Sequence, residues 1–96
     1  GGEEFAVVMP GHTRKRSAHV AEKMRKRIEA VPIPCREGLM LNVTVSIGVA
    51  SCEFSGQFGS ADQLVDAADR AVYAAKDSGR NCVRVFTPRN KKPAAT

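Results

Sequence analysis

Residues 41–50, LNVTVSIGVA, set Val43, Val45, Ile47 and Val49 on one side of an extended chain and Asn42, Thr44, Ser46 and Gly48 on the other. Successive side chains of a strand point to opposite faces, so the alternation predicts a β-strand over 41–50. The second set is small and partly apolar, which predicts that its face is also crowded or lies close to a ligand. Helical periodicity flanks the strand on both sides. Upstream, Thr13 is placed to cap a helix reaching about to Ala30, in which Ala21, Met24, Ile28 and Val31 recur at helical spacing, and Pro32 and Pro34 force its end. Downstream, Ser60 with Gln63 reads as a capping box for a helix carrying Leu64, Ala68, Ala71 and Ala75 on one face, and Gly79 ends it.

Two further apolar runs complete the order. Phe5 to Met9 follows Gly1-Gly2 and stops at Pro10-Gly11, the punctuation of a strand entered from a hairpin turn whose first arm is expected upstream of Gly1. Cys82 to Phe86 reads as a last strand, and Glu53 to Gly59 as a loop. Strand, helix, strand, helix, strand predicts an α/β (α+β) fold with helices packed on a sheet. Periodicity alone leaves a ferredoxin-like and a doubly wound arrangement both open.

Composition narrows the class. At 96 residues, 43% hydrophobic and 26% charged, the chain fits one small globular domain, a size at which losing a neighbouring strand or helix tips the balance toward instability or association. No apolar run approaches the roughly 18 to 20 residues needed to span a bilayer, and the first residues do not read as a secretion signal. Cys35, Cys52 and Cys82 are odd in number and scattered, with no CxxC pair, and are expected to be reduced packing residues of a cytoplasmic protein rather than metal ligands. The net charge of +5 is partly terminal: Arg89, Lys91 and Lys92 lie in the acid-free stretch Thr87 to Thr96, leaving 12 basic against 10 acidic residues elsewhere. Residues 87–96 are expected to form a disordered basic tail.

Two clusters carry chemistry. Gly1-Gly2-Glu3-Glu4-Phe5 places two carboxylates directly after a glycine turn, and hard cations such as Mg²⁺ take carboxylate oxygens together with substrate phosphates. A glycine hairpin with solvated acids explains the same residues. Lys76-Asp77-Ser78-Gly79-Arg80-Asn81 places two cations four residues apart at a helix end, where they could hold phosphate oxygens or cap the last carbonyls. A third feature is the basic first helix, with Arg14, Lys15, Arg16, Lys23, Arg25, Lys26 and Arg27. Nucleic-acid binding is one reading and a solvated face the other; an aromatic content of 5% with no Trp offers little for base stacking. His12 and His19 have no partner at ligand spacing and read as surface residues.

Taken together and in this order, GGEEF at 1–5, TVSIGVA at 44–50 and ADRAVYAAKDSGRN at 68–81 resemble the GGDEF family of diguanylate cyclases. The family's usual third residue is Asp, and Glu3 keeps the carboxylate. The resemblance runs to about Phe86, so residues 1–86 are expected to be the C-terminal portion of such a domain, with a nucleotide-cyclase-like sheet. It implies condensation of two GTP into cyclic di-GMP between two facing domains, a homodimer. By position, Glu3 is implied as a Mg²⁺ ligand and the base for the 3′-hydroxyl, Glu4 as a second acid at the metals, Gly1 and Gly2 as the turn against the nucleotide, and Lys76 and Arg80 as phosphate clamps.

The family's upstream half, with another metal-binding aspartate, a loop beneath the phosphates, the guanine-reading groups and an inhibitory RxxD product site, is not in this sequence. The isolated chain is therefore expected to be inactive and to self-associate through unpaired strand edges. The parent is expected to carry a sensor or receiver domain, with no nucleic-acid partner and no membrane contact by this segment. A degenerate module that binds GTP or a protein partner without turnover is the other reading.

Overall fold

The computed structural model describes residues 9–53 and 57–87. The expected strand from Phe5 falls outside them except at Met9, which belongs to no strand. Helix α1 spans Arg14–Ala30, and Thr13 caps it as read, its hydroxyl accepting from the Arg16 N–H at 3.1 Å. The first turn of α1 contains no acid. Glu53 supplies one from the distant loop, its carboxylate accepting from the Arg14 N–H at the positive end of the helix dipole.

After α1 the chain builds a small antiparallel pair, β1 (Ile33–Pro34) and β2 (Met40–Leu41), with Ile33 opposite Leu41 and Pro34 opposite Met40. A 3-10 turn at Arg36–Gly38 joins them, with Glu37 at φ 56° and Gly38 at φ 77°. Here the continuous strand expected over 41–50 is corrected. Leu41 pairs antiparallel with Ile33, whereas β3 (Ile47–Val49) pairs parallel with Val83–Val85. The two pairs belong to separate two-stranded sheets, so the chain changes sheets across 42–46.

Helix α2 (Ala61–Asp77) then crosses from β3 to β4 (Val83–Val85), giving a parallel β-α-β unit with Ile47, Gly48 and Val49 in register with Val83, Arg84 and Val85. The last strand is thus shorter than Cys82 to Phe86, although Ile47 and Phe86 donate flanking bonds to the Cys82 and Val49 carbonyls at 2.9 and 2.7 Å. Both helices contact both strands and hardly touch each other, so the ladder lies between them. The described core is made of small side chains: Ala21, Val49, Ala67, Ala71 and Ala75. Small residues bring α2 very close to β3. A Cβ built on Gly48 would stand 2.4 Å from the Ala68 carbonyl oxygen and from the Val72 nitrogen. The crowded face expected beside Gly48 is therefore the helix backbone.

Helix α2 departs from its reading in two details. Ser60 caps it, accepting from the Gln63 N–H at 3.3 Å, but the Gln63 carboxamide reaches back to the Gly59 N–H at 2.8 Å and not to that of Ser60. The buried stripe is Ala67, Ala71 and Ala75, with Leu64 and Ala68 half-buried beside it. Cys35 and Cys52 are exposed, and only Cys82 is partly inside, so the packing role expected of all three applies to one; none is in a disulfide. The fold is mixed α+β.

Candidate functional site

The C-terminal turn of α2 carries both predicted cations that lie within the described residues. Lys76 is half-buried in the last helical turn, and Arg80 is exposed three residues past the helix end. Between them Gly79 takes φ 106°, a left-handed geometry that glycine enters without steric cost. The Arg80 N–H reaches the Ala75 carbonyl at 3.0 Å, and the Gly79 N–H reaches that of Lys76 at 3.3 Å. This is the paired 6→1 and 5→2 bonding of a Schellman closure. The Ser78 N–H and hydroxyl both donate to the Ala74 carbonyl, at 3.0 and 2.8 Å. Main-chain and Ser78 donors thus bond the Ala74, Ala75 and Lys76 carbonyls at this end of the helix.

Arg80 and Asn81 continue in left-handed conformation at φ 66° and φ 50°. Such geometry is uncommon away from glycine and has to be held by its surroundings. A polar network does so. The Asn81 N–H donates to the Ser46 hydroxyl at 3.1 Å, its carboxamide oxygen accepts from Arg25 Nη1 at 2.9 Å, and its carboxamide nitrogen donates to Glu29 at 2.9 Å. Arg25 in turn forks onto Glu22 through Nε at 2.9 Å and Nη2 at 2.6 Å, and reaches Glu29 at 3.2 Å. The hydrogen bond from Arg25 holds the Glu22 carboxyl below the ordinary carboxylate range, helped by the charges of Arg25 and Lys26 and opposed by burial.

Arg25, one of the seven cations assigned to a basic helix face, is therefore misplaced in that set: its side chain is 13% exposed and tied to two carboxylates and Asn81. Arg14, Lys15, Arg16, Lys23, Lys26 and Arg27 remain exposed. Asn81 is the residue that the sequence reading passed over. Its one local signal is its place directly after Gly79-Arg80, since asparagine tolerates left-handed backbone better than most residues.

Gly1, Gly2, Glu3 and Glu4 lie outside the described residues. Among the described residues no three His, Cys, Asp or Glu side chains converge as a metal site, so the Mg²⁺ expectation rests wholly on Glu3 and Glu4. His12 is half-buried with Nδ1 3.1 Å from the Pro10 carbonyl, and His19 is exposed. Among the described residues no helix is long and apolar enough to cross a membrane.

The chain matches known proteins along most of its length. Residues 1–82 match the family described as "Diguanylate cyclase, GGDEF domain". Diguanylate cyclase A of Treponema denticola is 41% identical over 95 residues, covering 99% of this chain and 24% of the relative. Response regulator PleD of Caulobacter vibrioides is 42% identical over 84 residues, covering 86% of this chain and 18% of the relative. The chain thus spans a quarter or less of these relatives. The crystal structure of the GGDEF domain of DgcB from Caulobacter crescentus in complex with c-di-GMP aligns with a TM-score of 0.72 at 28% identity, over 81% of this chain and 44% of that one. With the signature at residues 1–5, the strand entering Gly48 and the Lys76–Asn81 turn all inside or adjoining the matched span, the chain belongs to the GGDEF domain family, whose relatives include diguanylate cyclases.

Proposed function

We propose that this chain is part of a diguanylate cyclase domain whose substrate is GTP, with Lys76 and Arg80 as contacts to the triphosphate. The observation that carries the reading is the closed end of α2: the Ala74, Ala75 and Lys76 carbonyls accept from main-chain and Ser78 donors, and Lys76 and Arg80 stand one on each side of a glycine turn. Lys76 acts as a point charge and Arg80 as a planar fork, the two complementary ways of neutralising phosphate oxygens. Glu3 and Glu4 are the proposed ligands of Mg²⁺, which when bound supplies further charge neutralisation at the phosphates. Glu3 takes the proton of the 3′-hydroxyl as its oxygen bonds the α-phosphorus of the GTP held by a second domain, and pyrophosphate leaves. The same exchange in the other direction closes the ring, so the working unit is a pair of domains. An upstream sensor or receiver domain sets that pairing, in keeping with the name of the response-regulator relative, and GTP supply places the reaction in the cytoplasm.

At its full natural length the protein should convert GTP to cyclic di-GMP in the presence of Mg²⁺. Lys76→Ala and Arg80→Ala should each lower kcat/KM about 10- to 100-fold, as expected for ~1.5–3 kcal/mol per charge-assisted contact. Turnover that ignores both substitutions removes the phosphate clamp. GTP bound by the native protein but never converted makes it the degenerate module instead.

A further inference from the structure

We propose that Arg25 is a positioning residue for Arg80: from α1 it fixes Asn81, and through Asn81 it fixes the left-handed turn that presents Arg80. The proposal rests on the reading of Arg80 as a phosphate contact. Arg80 is pinned on both sides of its own Cα, by its N–H on the Ala75 carbonyl at 3.0 Å and by the next N–H, that of Asn81, on the Ser46 hydroxyl at 3.1 Å. A turn of consecutive left-handed residues relaxes unless such bonds hold it. The Asn81 side chain is gripped by Arg25 and Glu29, which stand one helical turn apart on α1 and are themselves bonded to each other. Arg25 is poorly suited to meet phosphate itself. Its Nε, Nη1 and Nη2 are all engaged, its charge faces two carboxylates, and its side chain is 13% exposed. The division of labour is that Arg80 touches the ligand and Arg25 determines where Arg80 starts from.

The test is equilibrium titration of the full-length protein with Mg²⁺ and a non-hydrolysable GTP analogue, alongside KM and kcat for GTP. Arg25→Ala should raise Kd about tenfold, and Arg25→Lys, which keeps the charge but loses the fork, should raise it nearly as much. Asn81→Ala should do the same. In an Arg80→Ala background, Arg25→Ala should add no further loss, because its effect runs through Arg80. A merely structural role lowers the unfolding temperature in every background and leaves the Kd of the folded protein unchanged. Unchanged Kd, or losses that multiply in the double variant, overturns the proposal. Should Arg25→Ala fail to fold, Arg25→Lys and Asn81→Ala carry the same comparison. If Arg80→Ala itself leaves Kd unaltered, the phosphate reading fails and this inference with it. Sensitivity to Arg80 without sensitivity to Arg25 overturns this inference alone.

Discussion

Gly48 shows how one missing Cβ can set the distance between a helix and a strand. The atoms a side chain would meet are the Ala68 oxygen, the Val72 nitrogen and, at 2.8 Å, the Ala71 carbonyl carbon, all backbone and unable to rotate away. Gly48→Ala must push α2 off β3. We expect a loss of about 1–3 kcal/mol, the usual cost of forcing extra volume into a packed interface, read as a lower urea midpoint with unchanged m-value. The sequence marked this face as crowded because Asn42, Thr44, Ser46 and Gly48 are small, but smallness cannot say whether a ligand or a helix fills the space. Arg25 was illegible for a different reason. Glu22 and Glu29 lie within a helical turn of both Arg25 and Lys26, so local spacing does not single it out; what distinguishes it is Asn81, 56 residues away.

At the scale of the element, helices were readable where their ends are written in neighbouring residues. Thr13, Ser60 and Gly79 act within three residues of their own position, so the ends of α1 and α2 emerge nearly as read. Ser60→Ala should therefore cost about 1 kcal/mol, as loss of a side-chain cap does, and Gly79→Ala about the same or more through left-handed strain, both measured by thermal unfolding. Strands were less readable because alternation reports a face and not a partner. Residues 41–50 alternate throughout, yet only Ile47–Val49 forms β3, while Leu41 ends a separate hairpin whose other arm contains Pro34. Proline lowers the expectation of a strand there, and a two-residue arm leaves no periodicity to detect. The acids of the signature, Glu3 and Glu4, remain legible as a motif only.

For the molecule as a whole, the network around Arg25 makes stability depend on acid. The Glu22 carboxyl titrates below its ordinary value of 4.5 in the folded chain, chiefly because Arg25 hydrogen-bonds the ionised form. A depressed carboxylate contributes stability fully above the unfolded value and loses that contribution as pH falls through the folded one. Urea unfolding of the native protein and of Glu22→Gln should accordingly differ by a constant amount from pH 7 to pH 5, and the gap should close as pH drops below 4.5. A gap that stays constant however far the pH falls below 4.5 would remove the ion pair as its cause. Arg25 stays charged throughout, held further up by the same partner, and adds no pH dependence of its own.

The grip of Arg25 and Glu29 on Asn81 also bears on the order in which the chain assembles. It closes loops of 56 and 52 residues, and a closure that long is entropically unfavourable until the intervening strands and helix are in place. The grip of α1 on the Asn81 side chain is thus expected late in assembly, while the bonds to Ala75 and Ser46 hold the turn without it. A partly assembled chain would keep the Ala75 and Ser46 bonds but lack the grip on Asn81, so any anion affinity should strengthen once α1 docks.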